Sequence, residues 1–462
     1  VVNDGHVNAL EGAGVAVERI GRLDAPSTST AVGVAGHWPP SFQAPSAGPF
    51  VLYQPWEFGS VPAPWVEPIR RSVDEVWTPS RASRESFLAA GIAPELVQVV
   101  PNGVDTGLFS PAGPRRELPV EAGTVFLFVG GLTHRKGIDV LLEAYGRAFT
   151  ADDDVALVLK SFGARTYYRG QAALELVDEF TRRPGAPRLV LLDEDVPHAE
   201  LPALYCAADC LVQPYRGEGF CLPALEALAC GLPLIVTAGG STDDFVSDDC
   251  AWRIAAGRSV LPRNAVGPDL PLAADGFLLE PSVPELVAAF QAAADPAARA
   301  ARAAASRPHA ERFSNEAVAR VSFERLAALS GRKPVREIPV AEVPDARRVL
   351  LTVPADWDRP ETWVEPVRAY AEAFGPTDDT TLVLPAGDEA AALALVAAEL
   401  ERAGHALDTL ADVALADAAA LDPASLERAA DAVICASARP LGRARRIVPP
   451  HASALRALLD RR

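Results

Sequence analysis

Two short apolar runs, Cys210-Leu211-Val212 and Leu234-Ile235-Val236, bracket the stretch that most limits how this chain can fold. Between them stand Glu218-Gly219-Phe220-Cys221-Leu222-Pro223-Ala224-Leu225-Glu226, continuing through Ala227-Leu228-Ala229 to Cys230-Gly231-Leu232-Pro233. Apolar runs of this length flanked by turn residues read as buried strands, so the unit reads strand, loop, short helix, strand in an α/β sheet. Pro223 suits the first helical position and Gly231 the stop. Leu222, just before Pro223, has no acceptor to offer, so the first backbone N–H groups of the helix lack a side-chain cap. Uncapped N–H groups at a helix start suit an anion. Glu218 stands in the loop before that place and Glu226 one turn inside the helix, so the two carboxylates flank one ligand at different points. A nucleoside diphosphate joined to a sugar has the matching parts. Paired glutamates alone are more often solvated surface charges. Here Gly219, Phe220 and Pro223 surround Glu218 with residues that shape a backbone.

The stretch resembles the E-x7-E motif of family 4 (group 1) glycosyltransferases, in Glu218-Gly219-Phe220, Leu222-Pro223, Leu225-Glu226-Ala227 and the Cys230-Gly231-x-Pro233 ending. The resemblance implies an α/β chain of the GT-B fold, with two Rossmann-like domains facing a cleft, and transfer with retention of configuration. A second match comes earlier. The strand Val125 to Val129 runs into Gly130-Gly131-Leu132-Thr133-His134-Arg135-Lys136-Gly137, and the helix after it carries Ile138, Leu141, Leu142, Tyr145 and Phe149 at helical spacing. Backbone N–H groups of a glycine turn and two cations there form a phosphate site. Many relatives carry arginine directly after the first glycine, where this chain has Gly131; Arg135 is taken as the replacement cation beside Lys136.

Length and charge bound the rest. A chain of 462 residues is too long for one core and implies two or three domains. Its 49% hydrophobic and 23% charged residues are those of a soluble globular protein. A net charge of −18 argues against nucleic acid and anionic membrane surfaces as partners. No apolar run approaches the roughly 20 residues of a membrane helix, and the first residues are not a signal peptide. The 6 cysteines form no C-x-x-C pair and no histidine pattern, so neither a zinc site nor a disulfide scaffold is expected, and a reducing cytoplasm is the expected setting. There is no methionine, even at position 1, and the chain opens on Val7 to Leu10, which reads as the end of a helix; Gly12 to Val17 reads as a glycine turn and a strand. The expectation is a trimmed chain or fragment whose first domain lacks its first strand and glycine-rich loop.

Within residues 1–113, the strand Phe50 to Tyr53 ends in Gln54-Pro55-Trp56-Glu57-Phe58-Gly59. The carboxyl end of a parallel strand is where open α/β sheets bind ligands, which makes Trp56 and Glu57 acceptor-side candidates. The alternative is a buried aromatic in a turn with an exposed carboxylate. Asn102, in Pro101-Asn102-Gly103-Val104-Asp105, resembles the family's segment at the cleft edge and is a third candidate; an ordinary Asn-Gly turn is the alternative. Pro111-Ala112-Gly113-Pro114 reads as a hinge, and residues 120–331 as the nucleotide-sugar-binding domain. Asp152-Asp153-Asp154 precedes a strand and reads as a solvated loop rather than a metal site. Arg258 to Ala274 reads as an irregular insertion, and Glu285 to Ala305 as one alanine-rich helix. Ser314 to Leu329 reads as a helix crossing back to the first domain.

After a proline-rich linker, residues 345–462 repeat the nucleotide domain in degenerate form. Ala144-Tyr145, Ala148-Phe149, Asp153-Asp154 and Leu157-Val158-Leu159 recur as Ala369-Tyr370, Ala373-Phe374, Asp378-Asp379 and Leu382-Val383-Leu384, at the offset 370 − 145 = 225. The upstream strands align with a one-residue slip, Val125 against Val349. Pro360-Glu361-Thr362 stands where Arg135-Lys136-Gly137 would be, and Arg443, Arg445 and Arg446 where the glutamate pair would be, so the repeat has lost its phosphate cations.

The expected function is sugar transfer from a UDP- or GDP-sugar to a saccharide or other hydroxyl acceptor, with no cofactor and no metal. Lys136 and Arg135 would stabilise the leaving diphosphate, and Glu218 would hold a sugar hydroxyl. The donor would lie against Gly130, Gly131, Glu218, Gly219, Phe220, Cys221 and Leu222, with Glu226 on the ribose. Two alternatives stay open, an inactive nucleotide-sugar binder or scaffold and a sugar nucleotide epimerase.

Overall fold

In the computed structural model the described residues are 2–12, 15–17, 32–42, 44–45, 48–162, 173–267, 270–330, 349–353, 355–405, 412–417, 430, 432–434 and 447–456. Three parallel sheets dominate them. The first holds β1 (Gly33–Ala35), β2 (Phe50–Tyr53), β3 (Glu75–Thr78) and β4 (Val97–Val99), in that order. The second holds β5 (Thr124–Val129), β6 (Val155–Lys160), β7 (Arg188–Leu192), β8 (Cys210–Gln213), β9 (Leu234–Thr237) and β10 (Ala251–Ile254), ordered β7-β6-β5-β8-β9-β10. Its order reverses between β5 and β8, both of which run parallel, and ligands of doubly wound sheets bind outside the carboxyl ends at such a point.

Continuous burial of β5 and β6 explains why their sequences are unbroken apolar runs: both faces of the sheet are covered. Val125, Leu127 and Val129 pack to one side with the helix Leu222–Ala229. Phe126 and Phe128 pack to the other with the helices Ile138–Ala148 and Val283–Ala294.

Several expectations change. Residues 15–17 form no strand, because the Val15 N–H turns back to Leu10 O and closes the helix Val2–Gly12. The described part of the supposed irregular insertion carries strands: β11 (Ala256–Val260) pairs antiparallel with β14 (Phe277–Pro281), and β12 (Ala265–Val266) with β13 (Leu270–Pro271). The supposed single helix 285–305 is two, Val283–Ala294 and Pro296–Glu311. The chain breaks at Asp295, whose carboxylate accepts from Ala297 N while Pro296 begins the next helix.

The first and second sheets touch along their carboxyl ends. Ser80 Oγ donates to Gly219 O at 2.7 Å, and Arg81 N donates to Asp244 Oδ2 at 2.8 Å. Phe277 N donates to Phe58 O at 3.1 Å, and Ala273 N to Val61 O at 2.9 Å. The helix Asn315–Leu329, capped by Ser314, does cross back. Its Leu329 packs with Val51, Trp77 and Val100, and Arg325 pairs with Glu75.

The third sheet, β15 (Val349–Thr352), β16 (Thr380–Ala386), β17 (Asp412–Asp417), β18 (Ala432–Ile434) and β19 (Ile447–Val448), is ordered β17-β16-β15-β18-β19. This repeats the order of the second sheet as far as β9. Local bonds repeat as well. Thr150 N donates to Asp153 Oδ2 and Gly375 N to Asp378 Oδ2, while Tyr145 Oη reaches Arg188 O and Tyr370 Oη reaches Asp412 O. Thr124 faces Val155 and Val349 faces Thr380, so both strand pairs keep the one offset, 349 − 124 = 380 − 155 = 225, and the expected one-residue slip is absent. Arg443, Arg445 and Arg446 lie outside the described residues.

Candidate active site

The exits of β5 and β8 meet. After β5, Gly130 N donates to Lys160 O and Thr133 N to Gly131 O, a tight turn that delivers Arg135 and Lys136 on one 3-10 turn, His134–Lys136. Gly137 ends it with φ 75°. From the β8 side, Arg216 N donates to Arg135 O at 2.8 Å, and the Arg135 guanidinium donates back to Gly217 O at 2.6 Å. The Arg216 side chain, 4% exposed, bridges Asp139 and Glu280 and donates to His134 O at 2.9 Å. Burial pushes the Asp139 carboxyl up, but the two bonds from Arg216 outweigh it and hold the group below its usual range.

This lattice brings the predicted charges together. Lys136 Nζ bonds Glu218 Oε1 directly. Arg135 Nη1 lies 3.7 Å from Glu218 Oε2 and 3.5 Å from Glu57 Oε1. Glu57 arrives from the exit of β2, so the cluster of two cations and two carboxylates spans the boundary between the first and second sheets. Burial pushes the Glu57 carboxyl up; Arg135 and Lys136 oppose the shift, and Glu218 adds to it.

The helix after Glu218 begins one residue earlier than expected. Leu222 is its first residue, Pro223 its second, and Cys221 stands at the cap with φ 70°, a left-handed conformation costly for a non-glycine residue. The shift leaves the main inference intact, since no side chain caps this end. Gly219 is required where it stands, because a Cβ there would sit 2.6 Å from Pro55 Cβ. Phe220 is buried on Phe245, ring centroids 5.0 Å apart.

Glu226 is enclosed more than a free ribose ligand would be. Its Oε2 accepts from Tyr205 Oη at 2.6 Å, and its Oε1 faces His198 Nε2 at 3.7 Å. Trp56 is overturned as an acceptor-facing side chain. It is 2% exposed, donates to Ser60 O, and lies against Trp65 and Phe58 of the first core, with the exposed Trp38 stacked over it. Asn102 is half-buried and accepts from Tyr53 Oη at 2.7 Å. Its neighbour Gly103 abuts Asn315, where a Cβ would meet Oδ1 at 2.5 Å, so this segment is a docked strap rather than a free turn.

Sequence reading passed over His198 and Arg216, which touch the candidates Glu226 and Arg135, and gave no role to Lys160 at the exit of β6. Lys160 ends β6 with its amine bonded to Ser161 O, and burial lowers its pKa. A lysine closing an otherwise apolar strand was the one available signal. The bond to Glu226 raises the His198 pKa, against a smaller opposing effect of burial. A raised folded-state value means the stabilisation is full below the unfolded value of about 6.5 and is lost as pH rises through the folded value. Titration of His198 by NMR should therefore give a pKa above the free-histidine value in the native chain, and His198→Gln should flatten the dependence of Tm on pH in that window. A native pKa at or below the free value would show that the contact with Glu226 is not made.

No described helix is long and apolar enough to cross a membrane. Residues 123–265 match the family model described as glycosyl transferases group 1. D-inositol 3-phosphate glycosyltransferase of Geodermatophilus obscurus is 36% identical over 232 residues, covering 46% of this chain and 51% of that protein. D-inositol 3-phosphate glycosyltransferase 1 of Catenulispora acidiphila is 37% identical over 163 residues, covering 34% of this chain and 38% of its own length. The chain thus spans about half, or less, of the curated relatives it matches. Among solved structures, a glycosyltransferase from Rickettsia africae is similar with TM-score 0.49 at 14% identity, covering 72% of this chain and 82% of that one. Anabaena HepE in complex with UDP and glucose gives TM-score 0.47 at 20% identity, covering 61% and 72%. The glycine turn, the cation pair and the uncapped helix all lie inside residues 123–265, the segment that matches the group 1 glycosyl transferases.

Proposed function

We propose that the chain transfers a sugar from a nucleoside diphosphate sugar to a hydroxyl acceptor with retention of configuration. The observation that carries this is the convergence of Arg135, Lys136, Glu218 and the uncapped start of the helix Leu222–Ala229 at the exits of β5 and β8. Preorganised cations and backbone N–H groups stabilise charge that develops on a leaving diphosphate. The cations are here, so the transfer needs no metal. Glu218, already held by both, would take a sugar hydroxyl, and Glu226 the ribose beside Tyr205. Glu57 and Asn102 remain on the acceptor side. The names of the relatives make inositol phosphate the first acceptor to try; the donor is taken to be a UDP- or GDP-sugar.

The working division is an acceptor-side domain over residues 1–113, a donor domain over 120–331 and a structural repeat over 345–462, in a cytoplasmic setting. In that repeat Glu361 lies on the 3-10 turn Pro360–Thr362 in place of a cation, and a carboxylate facing a diphosphate repels it.

A thermal-shift panel of nucleoside diphosphates tests the reading. A bound one at 100 times its dissociation constant stabilises the fold by about 2.7 kcal/mol. Slow release of nucleoside diphosphate from the matching donor without acceptor separates an enzyme from a pure binder. No shift with any nucleoside diphosphate would overturn the proposal.

A further inference from the structure

At the opposite edge of the second sheet from the donor loops, three side chains of different chemistry converge. Cys250 immediately precedes β10, and its carbonyl accepts from Leu234 N at the first residue of β9, which fixes this as the amino-terminal edge. His309 comes from the last turn of the helix Pro296–Glu311, with Nε2 3.1 Å from Asp249 Oδ1. A ligand atom each from Asp249, Cys250 and His309 lies within 4.8 Å of the others. Ser247 Oγ stands 3.2 Å from the same ring nitrogen.

The set does not read as a nucleophilic triad. One ring nitrogen, Nε2, faces both the serine and the aspartate, whereas a relay from hydroxyl to carboxylate uses the two nitrogens separately. Thiolate, imidazole and carboxylate are instead the ligand types of zinc, bound tetrahedrally at about 2.0–2.3 Å. Two such ligands on one tetrahedral ion lie roughly 3.3 Å apart for nitrogen and oxygen, close to the spacing of His309 and Asp249. The thiol donates to Ser247 O at 3.4 Å, and that proton is the one the ion would replace. The aspartate side chain is 61% exposed and the imidazole 15%, so the cluster opens to solvent on the aspartate side and leaves room for a water as fourth ligand.

We propose that Asp249, Cys250 and His309 form a binding site for a thiophilic divalent cation of the zinc type, separate from the donor site. The ion would join the 247–250 loop to the helix Pro296–Glu311. That helix already reaches the same strand, since Arg302 Nε donates to Ala251 O and its guanidinium lies over Trp252. Binding exchanges the Cys250 thiol proton for metal and releases it to solvent.

The test is titration of the untagged full chain, reduced and metal-free, with cobalt(II) and then zinc(II). The expected result is one cobalt per chain with a thiolate-to-cobalt charge-transfer band, displaced by zinc. Cys250→Ser should abolish the band, and His309→Ala and Asp249→Asn should each weaken binding at least tenfold. Asp249→Asn changes an exposed residue, so it keeps the test valid if the buried cysteine variant folds poorly. Absence of the band, or a band of unchanged strength in the Asp249→Asn and His309→Ala variants, would overturn the site.

Discussion

Replacing Lys136 with alanine should lower turnover by roughly 100-fold while changing KM for the donor much less, since negative charge builds on the leaving diphosphate between the bound substrate and the transition state. The Lys136 side chain is 10% exposed and its amine is bonded to Glu218, itself 8% exposed. In so dry a place a cation acts at low effective dielectric, and water does not replace it. The variant also strips Glu218 of its nearer partner and leaves it Arg135, 3.7 Å away. Glu218→Gln in the same background separates the two effects. If the loss comes from the missing cation, the double variant stays as slow as Lys136→Ala. Recovery on neutralising Glu218 would show that a bare carboxylate was repelling the donor. Steady-state rates of nucleoside diphosphate release decide the matter, and a single variant with unchanged turnover would remove Lys136 from the mechanism.

Much of this site was legible because its signals are local. The glycine turn after β5, the cation pair and the uncapped helix each lie within one short segment flanked by apolar strands, and apolar runs report buried parallel strands directly. What escaped was set by partners far along the chain. Arg216 meets Glu280 and Asp139, 64 and 77 residues away, and nothing beside it in sequence marks it as buried. Trp56 was misplaced because a strand exit shows which end of the sheet a residue occupies, not which side of the loop; Glu57 turned to the cations and Trp56 to the core. The 256–281 arm eluded reading since β11 is largely exposed and carries no apolar alternation, its order coming from main-chain bonds to β14 and to the first-sheet loop. At Asp295-Pro296 the signal was present, a capping carboxylate before proline, but alanine content on both sides outweighed it. The repeat was visible as an offset, and only the strand pairing showed that β5 and β6 share it with β15 and β16 without a slip.

Gly137→Ala should be the most destabilising single-methyl change near the site, at about 2–5 kcal/mol, a sum of two effects. The residue has φ 75°, which costs an alanine roughly 1–2 kcal/mol. Its Cβ would also lie 2.0 Å from Pro214 O, a backbone atom in a loop tied down by Arg216 and Tyr215. Overpacking of this kind typically costs a further 1–3 kcal/mol. Because the loop cannot yield without breaking the bonds of Arg135 to residues 216 and 217, the strain should reach the site before it unfolds the chain. The expected outcome is therefore a lowered denaturation midpoint with loss of nucleoside diphosphate binding. Gly185→Ala is the control: its φ is 74°, nothing lies within 4 Å of the added carbon, and only the backbone cost applies. Equal destabilisation of the two variants would mean that the Pro214 carbonyl does not press on this turn, and the coupling between the two loops would have to be abandoned.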